Sequence, residues 1–288
     1  MSFVEFARSH GLLLEAVYPC DRIQRCPTER NPRRKNGAWF WDGERGFAFA
    51  WDGDAVAHWY DRPGAAPWTA AERQACVARQ RELAAERERT QQDAAARAAA
   101  LIAASRPGTH NYLVMKGLAD AQGLITSDGA LLVPMRDFLT DAVQGAQLIR
   151  WLESEGRYEK RMLAGMKAKG AVLRLGQAGD ETCLVEGYAT GLSAHAAHRS
   201  MGLKTSVLVT FSDRNLEYVA GMVKGKAYIY ADNDKSQAGE RAAKATGLPY
   251  CMSDVVGNDA NDDHRQLGLF AVCKKLTQVR KLLRRDSG

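Results

Sequence analysis

Two carboxylates, Asp232 and Asp234, follow directly on the apolar run 227–230 and precede an alanine-rich helical pattern. A strand ending here delivers both acids to its carboxyl edge, where open α/β sheets bind their ligands. Side chains two apart on an extended segment point the same way, so the spacing predicts that both converge on one cation. Glu186, followed by Gly187, closes a second apolar run at 182–185. A third acidic cluster, with Asp259, Asp262 and Asp263, follows the apolar run 248–252. Three acidic groups, each just past a strand, outline a divalent-metal site for phosphoryl transfer. In that chemistry charge spreads over phosphate oxygens, and Mg²⁺ takes one or two carboxylates together with substrate oxygens. The competing reading of Asp232 and Asp234 is a helix-capping turn, since acids are common just before helices. For 259–263 it is a solvated acidic loop.

The elements that must position these acids follow from periodicity. Apolar runs at 182–185, 205–210, 227–230 and 248–252 alternate with helical stretches near 189–200, 213–223 and 236–246. Strands alternating with helices imply right-handed βαβ units and a parallel sheet flanked by helices, an α/β fold. Upstream, 131–135 is strand-like and leads to a basic, glycine-bearing stretch that holds Lys160, Arg161, Lys167 and Lys169. These four are candidates for binding nucleotide phosphates or a nucleic-acid backbone, against a solvated surface segment. His195 and His198 read as helix-surface or packing residues.

Residues 1–62 read as a short helix and an antiparallel meander, with strands at 38–41, 46–51 and 55–60 separated by Asp-Gly turns. Trp39, Trp41, Trp51 and Trp59 either fill the core of this small unit or offer stacking platforms for unpaired bases. Arg33, Arg34 and Lys35 in the adjacent loop are candidates for template phosphates. From 67 to 104 the composition shifts to Ala, Arg, Glu and Gln, which predicts a long exposed helix or semi-rigid linker. Residues 265–285 carry seven bases, no acids and regularly spaced apolar positions, a basic amphipathic helix. It suits DNA, a partner helicase, or packing against the preceding domain.

The 288 residues have room for two or three domains, and the net charge of +6 with a pI near 9.0 suits a polyanionic partner. Segment 181–263 departs from this, with eleven acids against eight bases, as a cation site requires. Six cysteines without a CxxC pair, and no apolar targeting run, predict free thiols and a cytoplasmic location. No window is apolar enough to span a membrane.

Taken in order, Glu186-Gly-Tyr-Ala-Thr-Gly-Leu-Ser193, Asp232-Asn-Asp-Lys-Ser-Gln-Ala-Gly239 and Asn258-Asp-Ala-Asn-Asp262 resemble a Toprim domain. That fold is shared by bacterial-type primases, topoisomerases and some nucleases. His110-Asn-Tyr-Leu-Val-Met-Lys-Gly117 and Leu132-Val-Pro-Met-Arg-Asp137 are similar to the RNA-polymerase subdomain of phage and plasmid primases. The resemblance implies five segments. They are a β-rich template-binding domain at 1–66, a helical linker at 67–106, a polymerase subdomain at 107–180, the Toprim domain at 181–263 and a basic helix at 264–288.

It further implies a DNA primase that makes short RNA primers on a single-stranded DNA template from ribonucleoside triphosphates. Glu186, Asp232 and Asp234 would be catalytic metal holders, and Asp259 and Asp262 would serve a second Mg²⁺ or Mn²⁺ ion. The N-terminal unit stands where such primases carry a zinc ribbon, but closely paired cysteines are lacking, so zinc is not expected. A site from Cys20, Cys26, His10 and His58 is the alternative. The family often has an acid four residues after the glutamate, where this chain has Thr190. No GxxxxGK[ST] loop occurs, so a replicative helicase would be a separate partner, in a bacterial host cytoplasm if the chain is phage-encoded. The other readings are a Toprim nuclease and a non-catalytic single-strand-binding accessory protein.

Overall fold

The computed structural model of the protein describes residues 1–20, 22–65 and 70–285. The chain forms two compact units, Met1–Gln80 and Arg81–Gly288.

The first unit is built on an antiparallel sheet of β1 (Gln24–Cys26), β2 (Gly37–Trp41), β3 (Arg45–Ala50) and β4 (His58–Asp61), in that order. Helix α1 (Phe3–Ser9) opens with a capping box: the Glu5 N–H donates to Ser2 Oγ at 3.3 Å, and the Ser2 N–H to Glu5 Oε2 at 2.7 Å. It lays Phe3 and Phe6 on one sheet face against Trp39, Trp41 and Tyr60. Strand β4 starts later than its apolar pattern suggests because Ala55 has φ +57°, outside extended geometry. Cys26 is buried, and burial pushes its thiol up to about 11. His10 and His58 stack with ring centroids 3.8 Å apart, and His58 is hydrogen-bonded to Asp54.

Helix α2 (Ala70–Ala104) runs from the first unit into the second. Its second half is packed rather than a free spacer. Ala94 and Ala98 are fully buried, Ala98 against Leu132 and Ala146, and Arg97 donates to the Ala164 carbonyl at 2.7 Å. Small alanines one turn apart let the helix approach the sheet without the large apolar face that marks a docked helix in sequence. The first residues of the expected linker, 67–69, lie outside the described residues.

The second unit continues through β5 (Arg106–Gly108), α3 (Asn111–Met115), β6 (Gly123–Ile125), β7 (Leu131–Asp137), β8 (Val143–Leu152), β9 (Arg157–Met162) and β10 (Ala171–Leu175). Then come β11 (Glu181–Val185), α4 (Tyr188–Ser200), β12 (Thr205–Val209), α5 (Asp213–Ala220), β13 (Lys226–Ala231), α6 (Ala238–Thr246), β14 (Tyr250–Met252), α7 (Ala260–Leu267) and α8 (Leu269–Arg285). Its strands form one mixed sheet in the order β14-β13-β11-β12-β10-β7-β6-β5, with β8 and β9 branching from β7. Strands β14, β13, β11 and β12 are parallel. Strand β10 joins them antiparallel to β12 and ties in the antiparallel half through β7. The regions 107–180 and 181–263, expected as separate subdomains, therefore share a single sheet.

Alternation on the parallel strands sorts the core into two layers. Cys183, Val185, Val207, Val209, Tyr228 and Tyr230 pack under α4 and α8. Leu184, Leu208 and Ile229 pack under α5 and α6, each fully buried side chain contributing about 1.5–3 kcal/mol. The segment 265–285, expected as one basic helix, is interrupted at Gly268, whose φ of +83° ends α7. Helix α8 buries Val272, Leu276 and Val279 in the core, and Arg280 forms a two-pronged ion pair with Glu181 at 2.6 and 3.0 Å. Its apolar stripe belongs to the fold.

Candidate active site

The chain crosses from β11 through α4 to β12 on one side, then through α5 to β13 on the other side of β11. The crossover from β11 and the one from β12 run in opposite directions along the sheet, so the carboxyl ends of β11 and β13 flank a topological switch point, where open α/β sheets bind ligands. Glu186 is the first residue past β11 and Asp232 the first past β13. The loop after β12 clasps this edge: the Phe211 N–H donates to the Glu186 carbonyl and the Thr210 N–H to the Val185 carbonyl, both at 2.9 Å. Phe211 (φ +66°) and Gln237 (φ +57°) hold left-handed conformations beside the two acids. Strain of this kind costs of order 1–3 kcal/mol and concentrates at functional sites.

The acids feel one another. Burial, then the charges of Asp259 and Glu186, push the Asp232 carboxyl up to about 8. Among the described residues, its buried Oδ1 has no hydrogen-bond partner. Burial also raises Glu186, followed by the charges of Asp213 and Asp234. Lys160 on β9 opposes both shifts, so its charge lies within electrostatic reach of both acids. Lys160 Nζ also sits 5.5 Å from the centroid of the buried Tyr112 ring.

The other acids are placed differently from expectation. Asp234 does not continue an extended segment beside Asp232, because β13 ends at Ala231 and the chain turns into α6. Its carboxylate accepts from Ser236 Oγ at 2.6 Å and from the Ala238 and Gly239 amides at 3.2 and 3.3 Å. The Ser236 bond leads in holding it below the usual carboxylate range. Asp259 caps α7 through the Asn261 and Asp262 amides, and Asp262 returns a bond to the Asp259 N–H. Thr190, 1 % exposed, donates to Asp259 Oδ2 at 3.0 Å. The threonine that stands where an acid was expected thus orients the third acidic cluster. Asp263 is a buried fastener: Ser253 and Tyr230 donate to its oxygens at 2.6 and 3.1 Å.

Of the four expected phosphate-binding bases, only Lys160 reaches the acids. Arg161 pairs with Glu159 at 2.8 Å, Lys167 lies within electrostatic reach of Asp137, and Lys169 rests 4.3 Å from the Tyr218 ring centroid. They occupy β9 and the turns after it, not a helix. His198 is buried, bonded to the Ala194 carbonyl and the Tyr228 hydroxyl.

Two contributors escaped the sequence reading. Asp213 opens α5 at the carboxyl edge of β12; behind Ser212 it reads as an ordinary helix start. Asn215 donates to the Ala171 and Thr210 carbonyls at 2.7 and 2.8 Å and accepts from the Gly170 amide at 2.7 Å, locking the basic turn to this edge.

Among the described residues, no three His, Cys, Asp or Glu side chains form a ready-made metal-ligating group, at this edge or around Cys20, Cys26, His10 and His58. The chemistry of Glu186 and Asp232 nonetheless fits a cation. An ion there would relieve the repulsion that raises both acids and would partner the unbonded Asp232 Oδ1. Asp259 and Asp262 keep free lone pairs, but their oxygens already serve the helix cap. Compared with models of known protein families, the chain matches none.

Proposed function

We propose that the protein is a DNA primase of phage or plasmid type, joining ribonucleotides on a single-stranded DNA template, with its second unit built around a Toprim domain. The observation that carries this reading is the pair Glu186 and Asp232, one residue past adjacent parallel strands at the switch point, each raised by burial and by neighbouring carboxylates and each within electrostatic reach of Lys160. Mg²⁺ or Mn²⁺ bound there would neutralise charge on the α-phosphate as the 3′-hydroxyl attacks and pyrophosphate leaves.

In this mechanism Asp232 and Glu186 would hold the ion, with Asp234 adding charge from the turn before α6. The alternative role for Glu186, in place of ligating the ion, is to take the hydroxyl proton. Lys160 meets the triphosphate from β9. Asp259 and Asp262, committed to the α7 cap, would hold a second ion less firmly. The helicase partner and host-cytoplasm setting belong to the same proposal. Among the described residues no helix is long and apolar enough to cross a membrane.

The test is pyrophosphate release that depends on single-stranded DNA, ribonucleotides and Mg²⁺ or Mn²⁺, and that is lost in Glu186→Gln. Metal-dependent cleavage of labelled DNA without pyrophosphate release would favour a Toprim nuclease. Single-strand binding with neither activity would favour an accessory protein.

A further inference from the structure

The outward face of the small sheet in Met1–Gln80 plays no part in the site above. On β3 the inward residues are Gly46, Ala48 and Ala50, whereas Phe47 and Phe49 point outward. The inward positions are small because α1 fills the space over them: a Cβ on Gly46 would lie 2.9 Å from the Phe3 ring. The large rings are left on the face opposite the helix. Cross-strand register sets Phe40, Phe47 and Trp59 in a row over three strands, with ring centroids 6.2 and 5.6 Å apart. Phe49 and Trp51 extend the row, 4.6 Å apart, and the Arg25 guanidinium lies 5.5 Å from the Trp51 ring. Trp59 is 75 % exposed and Trp51 41 %.

Phe40, Phe47 and Phe49 are half-buried between these two exposed indoles; a contiguous aromatic face left to solvent is a candidate binding surface, and its surroundings say for what. The Trp51 N–H donates to the Asn36 carbonyl at 2.9 Å, which brings the loop of Arg33, Arg34 and Lys35 to that end of the row. All three bases are exposed, and none has an ion-pair partner among the described residues. Flat rings repeated at the strand spacing, with cations at one end, match unpaired bases on a charged backbone; a duplex hides its base faces. We infer that this face binds single-stranded nucleic acid, its bases stacked on Phe40, Phe47, Trp59 and Trp51 and its phosphates met by Arg25 and the 33–35 loop. The inference deepens the template reading above, but its test needs no turnover.

The experiment titrates the full chain with labelled oligodeoxythymidine in EDTA without nucleotides, following anisotropy and tryptophan emission. Trp59→Ala and Phe47→Ala should each weaken binding roughly tenfold or more with unchanged salt dependence, while Phe47→Tyr retains affinity. Arg33→Ala with Arg34→Ala should instead flatten the salt dependence, by about 0.7 in log–log slope for each phosphate no longer neutralised. The thermal melt of Trp59→Ala should stay at the wild-type value, because that side chain is 75 % exposed, and Phe47→Tyr controls for any loss of packing in Phe47→Ala. Wild-type affinity in both aromatic variants would overturn the inference. So would equal affinity for duplex, or wild-type self-association abolished by Trp59→Ala with no strand bound. A protein that binds in this way but releases no pyrophosphate sinks the catalytic reading alone.

Discussion

Replacing Asp232 by Asn should make the protein inactive and, above neutral pH, more stable. The folded carboxyl titrates at about 8, against 3.8 for an ordinary aspartate. Between those values the folded protein keeps a proton that the unfolded chain has released, so stability falls as pH rises. The contribution is complete below about pH 4, declines across the window and levels off above pH 8. Each pH unit inside it is worth about 1.36 kcal/mol, so from pH 5 to pH 8 wild type should lose up to about 4 kcal/mol relative to Asp232→Asn. Relaxation around the site makes this a ceiling. A difference of about 2–4 kcal/mol would move Tm by roughly 4–16 °C for a unit of this size. Urea unfolding of both proteins in EDTA across pH 5–8 measures it, with carboxylates that do not couple to Asp232 cancelling in the comparison. Adding Mg²⁺ at pH 8 should stabilise wild type selectively, by about 2.7 kcal/mol at one hundred times Kd. Parallel pH curves, or equal stabilisation of both proteins by Mg²⁺, would refute the picture of an acid desolvated and repelled by its neighbours.

Gly239→Ala should disturb the site without touching a carboxylate. The added Cβ would lie 2.5 Å from the Asp232 carbonyl oxygen, so the backbone that carries the acid must move. A stability loss of about 1–3 kcal/mol should accompany at least a tenfold fall in pyrophosphate release, read by denaturant titration and rate assay. Asp263→Ala should do the reverse. It leaves the Tyr230 and Ser253 hydroxyls without their buried acceptor, which costs about 2–4 kcal/mol, and Mg²⁺-dependent turnover per folded molecule should be retained. Asp259→Asn should lower activity less than Asp232→Asn in the same rate assay, because its oxygens already serve the α7 cap.

The parallel half of the sheet was legible because local pattern determines it: four apolar runs, each with an acid or helix start behind it, form β11 to β14. The turn of the chain between Asp232 and Asp234 was not legible. Extended spacing carries both acids along one strand direction, but β13 ends at Ala231, three residues short of Asp234, and the first amides of α6 take the second carboxylate. The bridging role of β10 depends on pairing with β12 and β7, residues far away in sequence, which no local pattern encodes. Alternation in β3 shows that Phe47 and Phe49 share a face but not which face is covered. That is decided by α1, whose Phe3 and Phe6 need the room left by glycine and alanine.

A metal-dependent nucleotidyl-transfer site at Glu186 and Asp232, as proposed, must make a product from template, ribonucleotides and divalent ion together. The decisive measurement incubates the protein with single-stranded DNA, labelled ribonucleotides and Mg²⁺ or Mn²⁺, and resolves the products by size. Wild type should yield short oligoribonucleotides only when template and divalent ion are both present, and Asp232→Asn should yield none while remaining folded. Undiminished product from Asp232→Asn, or no oligoribonucleotide from wild type with either ion, would contradict the account.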